Sequence, residues 1–265
     1  MKEPLQESSW YDLPQYYELA FRDETAREVR FFERAFRRYA IGPVRRLLEP
    51  GCGSGRLVFA LARRGYRVWA FDNNRHALAY ATKRLKRHGL KAHFFAADLA
   101  DFSVPAAVDA AYCTMNTFRH LLSEAEARAH LKCVARAVRP GGVYILGFHL
   151  LPPDADEQCI ERWTARRGRL HVSYTLRVIE TNRAQRIESL RISLLVRTPR
   201  RCRRFRDEFR LRIYTADDVR RLLRASAAWE LCDVFDFWYE WDKPLDLNDE
   251  LSDAVFVLRR TDRAA

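Results

Sequence analysis

Between Leu47 and Arg56 the chain reads Leu-Leu-Glu-Pro-Gly-Cys-Gly-Ser-Gly-Arg. An apolar run ends in an acid, breaks into glycines at 51, 53 and 55, and resumes as the apolar helix pattern Leu57-Val58-Phe59-Ala60-Leu61. A first parallel strand turns into a first helix in this way beside a bound nucleoside. The glycines let the backbone approach the ligand and point helix N–H groups at it. A dinucleotide fingerprint would place its third glycine at position 56, where this chain has Arg56.

The spacing around this turn predicts alternating strands and helices. Strands are expected at 45–49, 66–71, 92–97, 108–115 and 143–150, with helices at 56–64, 76–88 and 123–138. Ser123 with Glu126 three residues on forms a capping box for the last helix. Regular alternation of this kind implies a parallel sheet covered on both faces, with ligands at the carboxyl ends of its strands. Apolar and aromatic residues at helical spacing between 16 and 40 (Tyr17, Phe21, Val29, Phe32, Phe36, Tyr39) predict one or two preceding helices. After Pro152-Pro153 the period changes to two, in 170–176, 189–196 and 209–214, which implies antiparallel strands with one wet face. A short helix from Thr215 to Leu223 and closing strands at 229–237 and 254–259 complete the chain.

Glu49-Pro50-Gly51-Cys52-Gly53-Ser54-Gly55, Asp72, Asp98-Leu99, the strand Asp109 to Met115, and the break Arg139-Pro140-Gly141-Gly142 occur in this order. Over about residues 45–150 they resemble the class I S-adenosylmethionine (SAM) dependent methyltransferases. The later part is similar to small-molecule members, in which an antiparallel insertion roofs the substrate. The implied fold is α/β: a doubly wound, mostly parallel, Rossmann-like sheet with an antiparallel β insertion as substrate roof. Its parts would be an N-terminal helical cap (1–44), a SAM-binding core (45–151), an arginine-rich insertion (152–213) and a C-terminal completion of the core sheet (214–265). The implied cofactor is SAM, with S-adenosylhomocysteine as product and no metal.

Each part of SAM needs a matched partner. Asp72, about twenty residues beyond the turn, is placed to accept both ribose hydroxyls, with Asn73 beside it; the alternative is a helix N-cap. Asp98 would accept from the adenine amino group while the backbone N–H of Leu99 meets a ring nitrogen. Glu49 would hold the methionine amine through water. Gly51, Cys52, Gly53 and Gly55 form the turn itself, and Met115 and Asn116 border the methionine portion. The resemblance also brings the N-terminal helix over SAM, making Tyr16, Tyr17 and Arg30 candidate cofactor or substrate contacts. An oxygen or nitrogen nucleophile must lose a proton, and His120 and His149, at the ends of strands four and five, are the candidate bases. The chain has no Asn/Asp-Pro-Pro-Tyr/Phe motif after strand four, so exocyclic base nitrogens have no obvious clamp. Cys113 falls within a strand and reads as a core residue.

Composition limits the alternatives. With 48% apolar residues the 265-residue chain can bury a large core, and no apolar run approaches a membrane span. Met1-Lys2-Glu3-Pro4 lacks a signal-peptide core, so a soluble cytoplasmic protein is expected. The six cysteines include no Cys-x-x-Cys pair, which argues against a zinc site or a disulfide framework. The net charge of +12 is concentrated: Arg162 to Arg212 contains sixteen arginines, no lysine and four acids. Three readings of this segment stand: a solvated sheet face, a basic roof gathering an anionic small molecule, or a grip on RNA phosphates. Methyl transfer to O or N of a small molecule is the expected function; RNA methylation and SAM binding without catalysis are the alternatives. The oligomeric state is left open.

Overall fold

The computed structural model describes residues 2–263. The chain opens with a strand, β1 (Lys2–Glu7), followed by helices α1 (Pro14–Phe21) and α2 (Thr25–Tyr39). The core alternates as expected: β2 (Arg46–Pro50), α3 (Arg56–Ala62), β3 (Arg67–Asp72), α4 (Arg75–Arg87), β4 (His93–Ala96), β5 (Val108–Cys113), α5 (Glu124–Ala137) and β6 (Val138–His149). The roof follows as β7 (Ile160–Arg167), β8 (Leu170–Asn182), β9 (Ile187–Arg197) and β10 (Cys202–Arg212). Helix α6 (Ala216–Arg224) and strands β11 (Trp229–Phe235) and β12 (Asp253–Arg260) close the chain.

The core sheet has the order β11-β12-β6-β5-β2-β3-β4. Strands β6, β5, β2, β3 and β4 run parallel, while β12 and β11 add antiparallel. Successive side chains leave on opposite faces, so Leu47 enters one apolar cluster, with α2 and α3, and Leu48 the other, with α5. Both leucines are fully buried, each worth about 1.5–3 kcal/mol. This two-sided burial is why β2 and β5 read as continuous apolar runs rather than alternating ones. The order reverses between β2 and β5, which puts a crevice at the carboxyl ends of β2 and β3.

Two boundaries differ from expectation. Strand β6 begins at Val138, not 143: the Pro-Gly-Gly segment is absorbed as an irregularity, with Val108 opposite Val138 but Ala110 opposite Val143. Asp109 pins it there. Its carboxylate is pushed up by burial, yet hydrogen bonds from Arg46, the Arg45 and Arg46 N–H groups and Arg139 hold it down at about 2. Residues 2–7 are a strand rather than part of a helical cap, since β1 joins the roof, pairing parallel with β10 in the order β1-β10-β9-β8-β7. Strand β7 went unread because its alternation is masked by charge on both faces: all but two of its residues are exposed.

A third apolar cluster joins Trp10 and Leu19 to Val172, Tyr174, Ile192, Leu194, Val196 and Phe205 on the inner roof face. A buried polar clamp ties the roof to the core. Arg119 pairs with Glu188 (2.6 Å) and donates to the Arg212 carbonyl (2.8 Å), while Arg212 donates to the Leu122 carbonyl (2.8 Å).

Candidate active site

The turn after β2 has φ of +63°, +49° and +67° at Gly51, Gly53 and Gly55, a region that favours glycine. The three positions do different work. A side chain on Gly51 would strike the Thr117 methyl, and one on Gly55 would meet the Ala81 Cβ at 2.8 Å. Gly53 faces open space, so it is the point where the backbone is bared to a ligand. Asp72, at the end of β3, locks this turn by accepting from the N–H of Gly53 (2.7 Å) and of Asn74 (2.9 Å). The N-cap of α4 is Asn74, which accepts from the Ala77 N–H (3.0 Å), so Asp72 is not the helix cap. Burial nonetheless holds the Asp72 carboxyl above its ordinary value.

Residues 51–54 of the turn and Asp72 border a cavity of about 420 Å³. Glu49, Gly51, Cys52, Gly53, Asp72, Asn73, Leu99, Met115, Tyr17 and His120 line it. Glu49 is buried and accepts from the Tyr112 hydroxyl (2.9 Å), and burial raises its pKa to about 8. A cation placed beside such a carboxyl favours its ionised form.

A second cavity of about 860 Å³ lies between the core and the inner roof face. Trp10, Phe21, Trp163, Phe209, Phe237 and Trp238 give it aromatic walls. Tyr11, Tyr17, Met115 and His120 border both cavities, so this is where a molecule in one would meet a molecule in the other. His120 hydrogen-bonds the Tyr11 hydroxyl (2.9 Å). Burial, with Arg119 nearby, lowers its pKa to about 4, so it is neutral at pH 7. His149 lines the second cavity, and its Nδ1 meets Asp253 Oδ1 at 2.5 Å, with Asp253 directly opposite on β12. Asn116 lines the same cavity and accepts from the His149 N–H (2.8 Å).

Several anticipated residues lie elsewhere. Gly55 packs against α4 rather than bordering the first cavity. Asp98 is exposed and accepts from the Ala100 N–H (2.7 Å), outside the cavity that Leu99 lines. Tyr16 packs on Phe205, and its carbonyl accepts from Tyr174 (2.8 Å). Arg30 is exposed on α2 and lines neither cavity. Conversely, Ser9 and Tyr11 reach the first cavity from ahead of α1 and Pro14 from its first residue, with Arg56, Thr114 and Thr117 from the core. Arg56 carried a signal: a lone charge in an apolar first turn needs a buried partner. It pairs with Glu28 and donates to Thr25 (2.9 Å). Among the described residues no group of three or more His, Cys, Asp or Glu side chains is arranged to hold a metal, and no helix is long and apolar enough to cross a membrane.

SAM carries a diol, an ammonium and a carboxylate. The first cavity offers the Asp72 carboxylate, the buried Glu49 and the Arg56 guanidinium, and its size falls in the range of small-ligand sites.

Comparison with known proteins agrees. Residues 47–142 match the methyltransferase-domain family. A ubiquinone biosynthesis O-methyltransferase of Methylocella silvestris is 33% identical over 108 residues, covering 40% of this chain and 41% of that protein. The matched region spans less than half the length of the curated relatives. A SAM-dependent methyltransferase from Clostridium acetobutylicum superposes with a TM-score of 0.76 at 16% identity, covering 96% of this chain and all of that one. SAM-bound CalS10, an amino pentose methyltransferase from Micromonospora echinaspora, superposes with a TM-score of 0.71 at 23% identity over 93% of this chain and 97% of that one. The glycine turn lies inside the stretch that matches the methyltransferase-domain family, and the fold of the chain is that of SAM-dependent methyltransferases.

Proposed function

We propose that this protein transfers the methyl group of SAM to an oxygen or nitrogen of a small molecule. The observation that carries this reading is the meeting of two cavities of different chemistry across Tyr11, Tyr17, Met115 and His120. The polar cavity holds the donor: Asp72 takes the ribose hydroxyls, Gly53 bares backbone, and Glu49 holds the methionine ammonium. The aromatic cavity under the roof holds the acceptor, and its enclosure suits a small molecule.

The donor's leaving group is already good, so alignment in a water-poor site supplies much of the rate. The chain's own contribution to chemistry is the fate of one proton. As the acceptor's lone pair bonds the methyl carbon and the carbon–sulfur pair returns to sulfur, the acceptor proton passes to a base. His149 suits this role, since a Nδ1–H held by Asp253 leaves Nε2 as the accepting nitrogen. His120, neutral and at the junction, is the second base within reach. All six cysteines are free thiols, in keeping with a cytoplasmic location.

Calorimetry with SAM and S-adenosylhomocysteine tests the donor site. Both should bind, and Asp72→Ala should weaken binding by at least tenfold; absence of binding, or an unchanged affinity in the variant, would overturn the reading. Release of S-adenosylhomocysteine in the presence of an acceptor separates an enzyme from a SAM-binding protein.

A further inference from the structure

The cross-strand register of the roof sorts its arginines by face. On the face turned away from the acceptor cavity, β7, β8 and β9 align Arg166, His171 and Arg197 in one row. The next row is Thr164, Ser173, Leu195 and Arg204; the third sets Arg162, Thr175 and Ser193 beside Arg206, with Arg162 on the edge strand at the rim of the acceptor cavity. The fourth is Arg177, Arg191 and Glu208, and Arg210 stands beyond it opposite Ser189. The opposite face carries Trp163, Leu190 and Phe209, which line the acceptor cavity. The outer face therefore sets small hydroxyls among arginines, and its first and fourth rows stand six residues apart, about 20 Å along the strands.

Eight arginines on this face meet three acids, Glu7, Glu180 and Glu208. Of the eight, only Arg191 has a carboxylate partner among the described residues, Glu208 at 2.6 Å. Arg166, Arg177, Arg197, Arg204 and Arg210 are exposed, and Arg206 Nε is buried with no acceptor. Protection of sheet edges does not explain them. The edges are β1 and β7, whereas six of the eight lie on the interior strands β8, β9 and β10. Arg177 and Arg191 are directly opposite each other, a like-charge pairing that costs sheet stability. An external polyanion would remove that cost.

We infer that the outer roof face docks the phosphate backbone of a nucleic-acid duplex without reading its sequence. Serine and threonine hydroxyls and arginines are the side chains that meet phosphates, and charge complementarity is what this face offers. Its rows include no Phe, Trp or Tyr on which unpaired bases could stack. Its apolar residues, Leu5, Ile160, Ile179 and Leu195, include no aromatic side chain, the anchor that protein interfaces favour. Because this face is turned away from the acceptor cavity, docking holds the enzyme on the polymer and does not deliver a base to the methyl group.

A fluorescently labelled DNA duplex titrated with the full chain at increasing salt is the test. Binding should be independent of sequence and fall steeply with salt. Arg177→Glu with Arg204→Glu should cut affinity at least tenfold and make the salt slope shallower by about 2, near 0.9 per phosphate contact. Arg177→Lys with Arg204→Lys should retain binding, and calorimetric SAM affinity should be unchanged in both variants, which shows that they fold. No binding at low salt, equal binding by the charge-reversed variant, or equally effective competition by polyglutamate would each overturn the inference. The last result would mark the face as a site for an acidic protein.

Discussion

Glu49 is a buried acid of the first cavity. A buried carboxyl with its pKa raised to about 8 is protonated at neutral pH, when its unfolded counterpart is ionised. The folded protein therefore binds one more proton than the unfolded chain between about pH 4.5 and 8. Its stabilising contribution is complete below that window and is lost as pH rises through it. An ammonium beside Glu49 reverses the preference and expels the proton. SAM binding at pH 7 should then release close to one proton, measured by calorimetry in buffers of different ionisation enthalpy. Glu49→Gln should abolish that release. A release unchanged in the variant would remove Glu49 from the ammonium site.

At the level of elements, the sheet junction depends on Arg119 and Glu188, whose side chains are 6% and 10% exposed. Removing one partner strands the other as a buried charge, so Glu188→Ala should cost about 3–5 kcal/mol in denaturant unfolding. The double replacement Arg119→Met with Glu188→Leu should cost markedly less. Equal losses in the single and double variants would show that the pair does not act as a unit. This clamp was not legible in the sequence, because its partners lie 69 residues apart and are joined only by how the roof settles on the core. What was legible had local causes. Ser123 and Glu126 form their capping box within one helical turn, and the glycines at 51, 53 and 55 mark their own left-handed turn. Strand β1, with proline and charges, carries no alternation, and Asp253 gains its place opposite His149 only through strand pairing. Asp98 misled for a related reason: an acid at a strand end equally serves its own loop, here through the Ala100 N–H.

On the scale of the whole molecule, the donor cavity is closed by segments distant in sequence. Ser9, Tyr11, Pro14 and Tyr17 complete it from the N-terminal side, and Asn74 in the core donates to Asp12 at 2.6 Å. The same N-terminal segment packs Trp10 and Leu19 into the roof cluster. A ligand in the donor cavity thus contacts a segment that also belongs to the roof, and binding should stabilise both layers together. At a hundredfold excess of SAM over its Kd the linkage amounts to about 2.7 kcal/mol. Hydrogen exchange should show this as slowed exchange in residues 9–17 as well as in the 51–55 turn and the loop after β3. Slowing confined to the core loops would mean that the N-terminal segment does not close over the donor. Tyr11→Phe distinguishes packing from hydrogen bonding at this closure. It keeps the ring in its aromatic cluster while removing the bond to His120, so protection should survive and His120 should become easier to rotate.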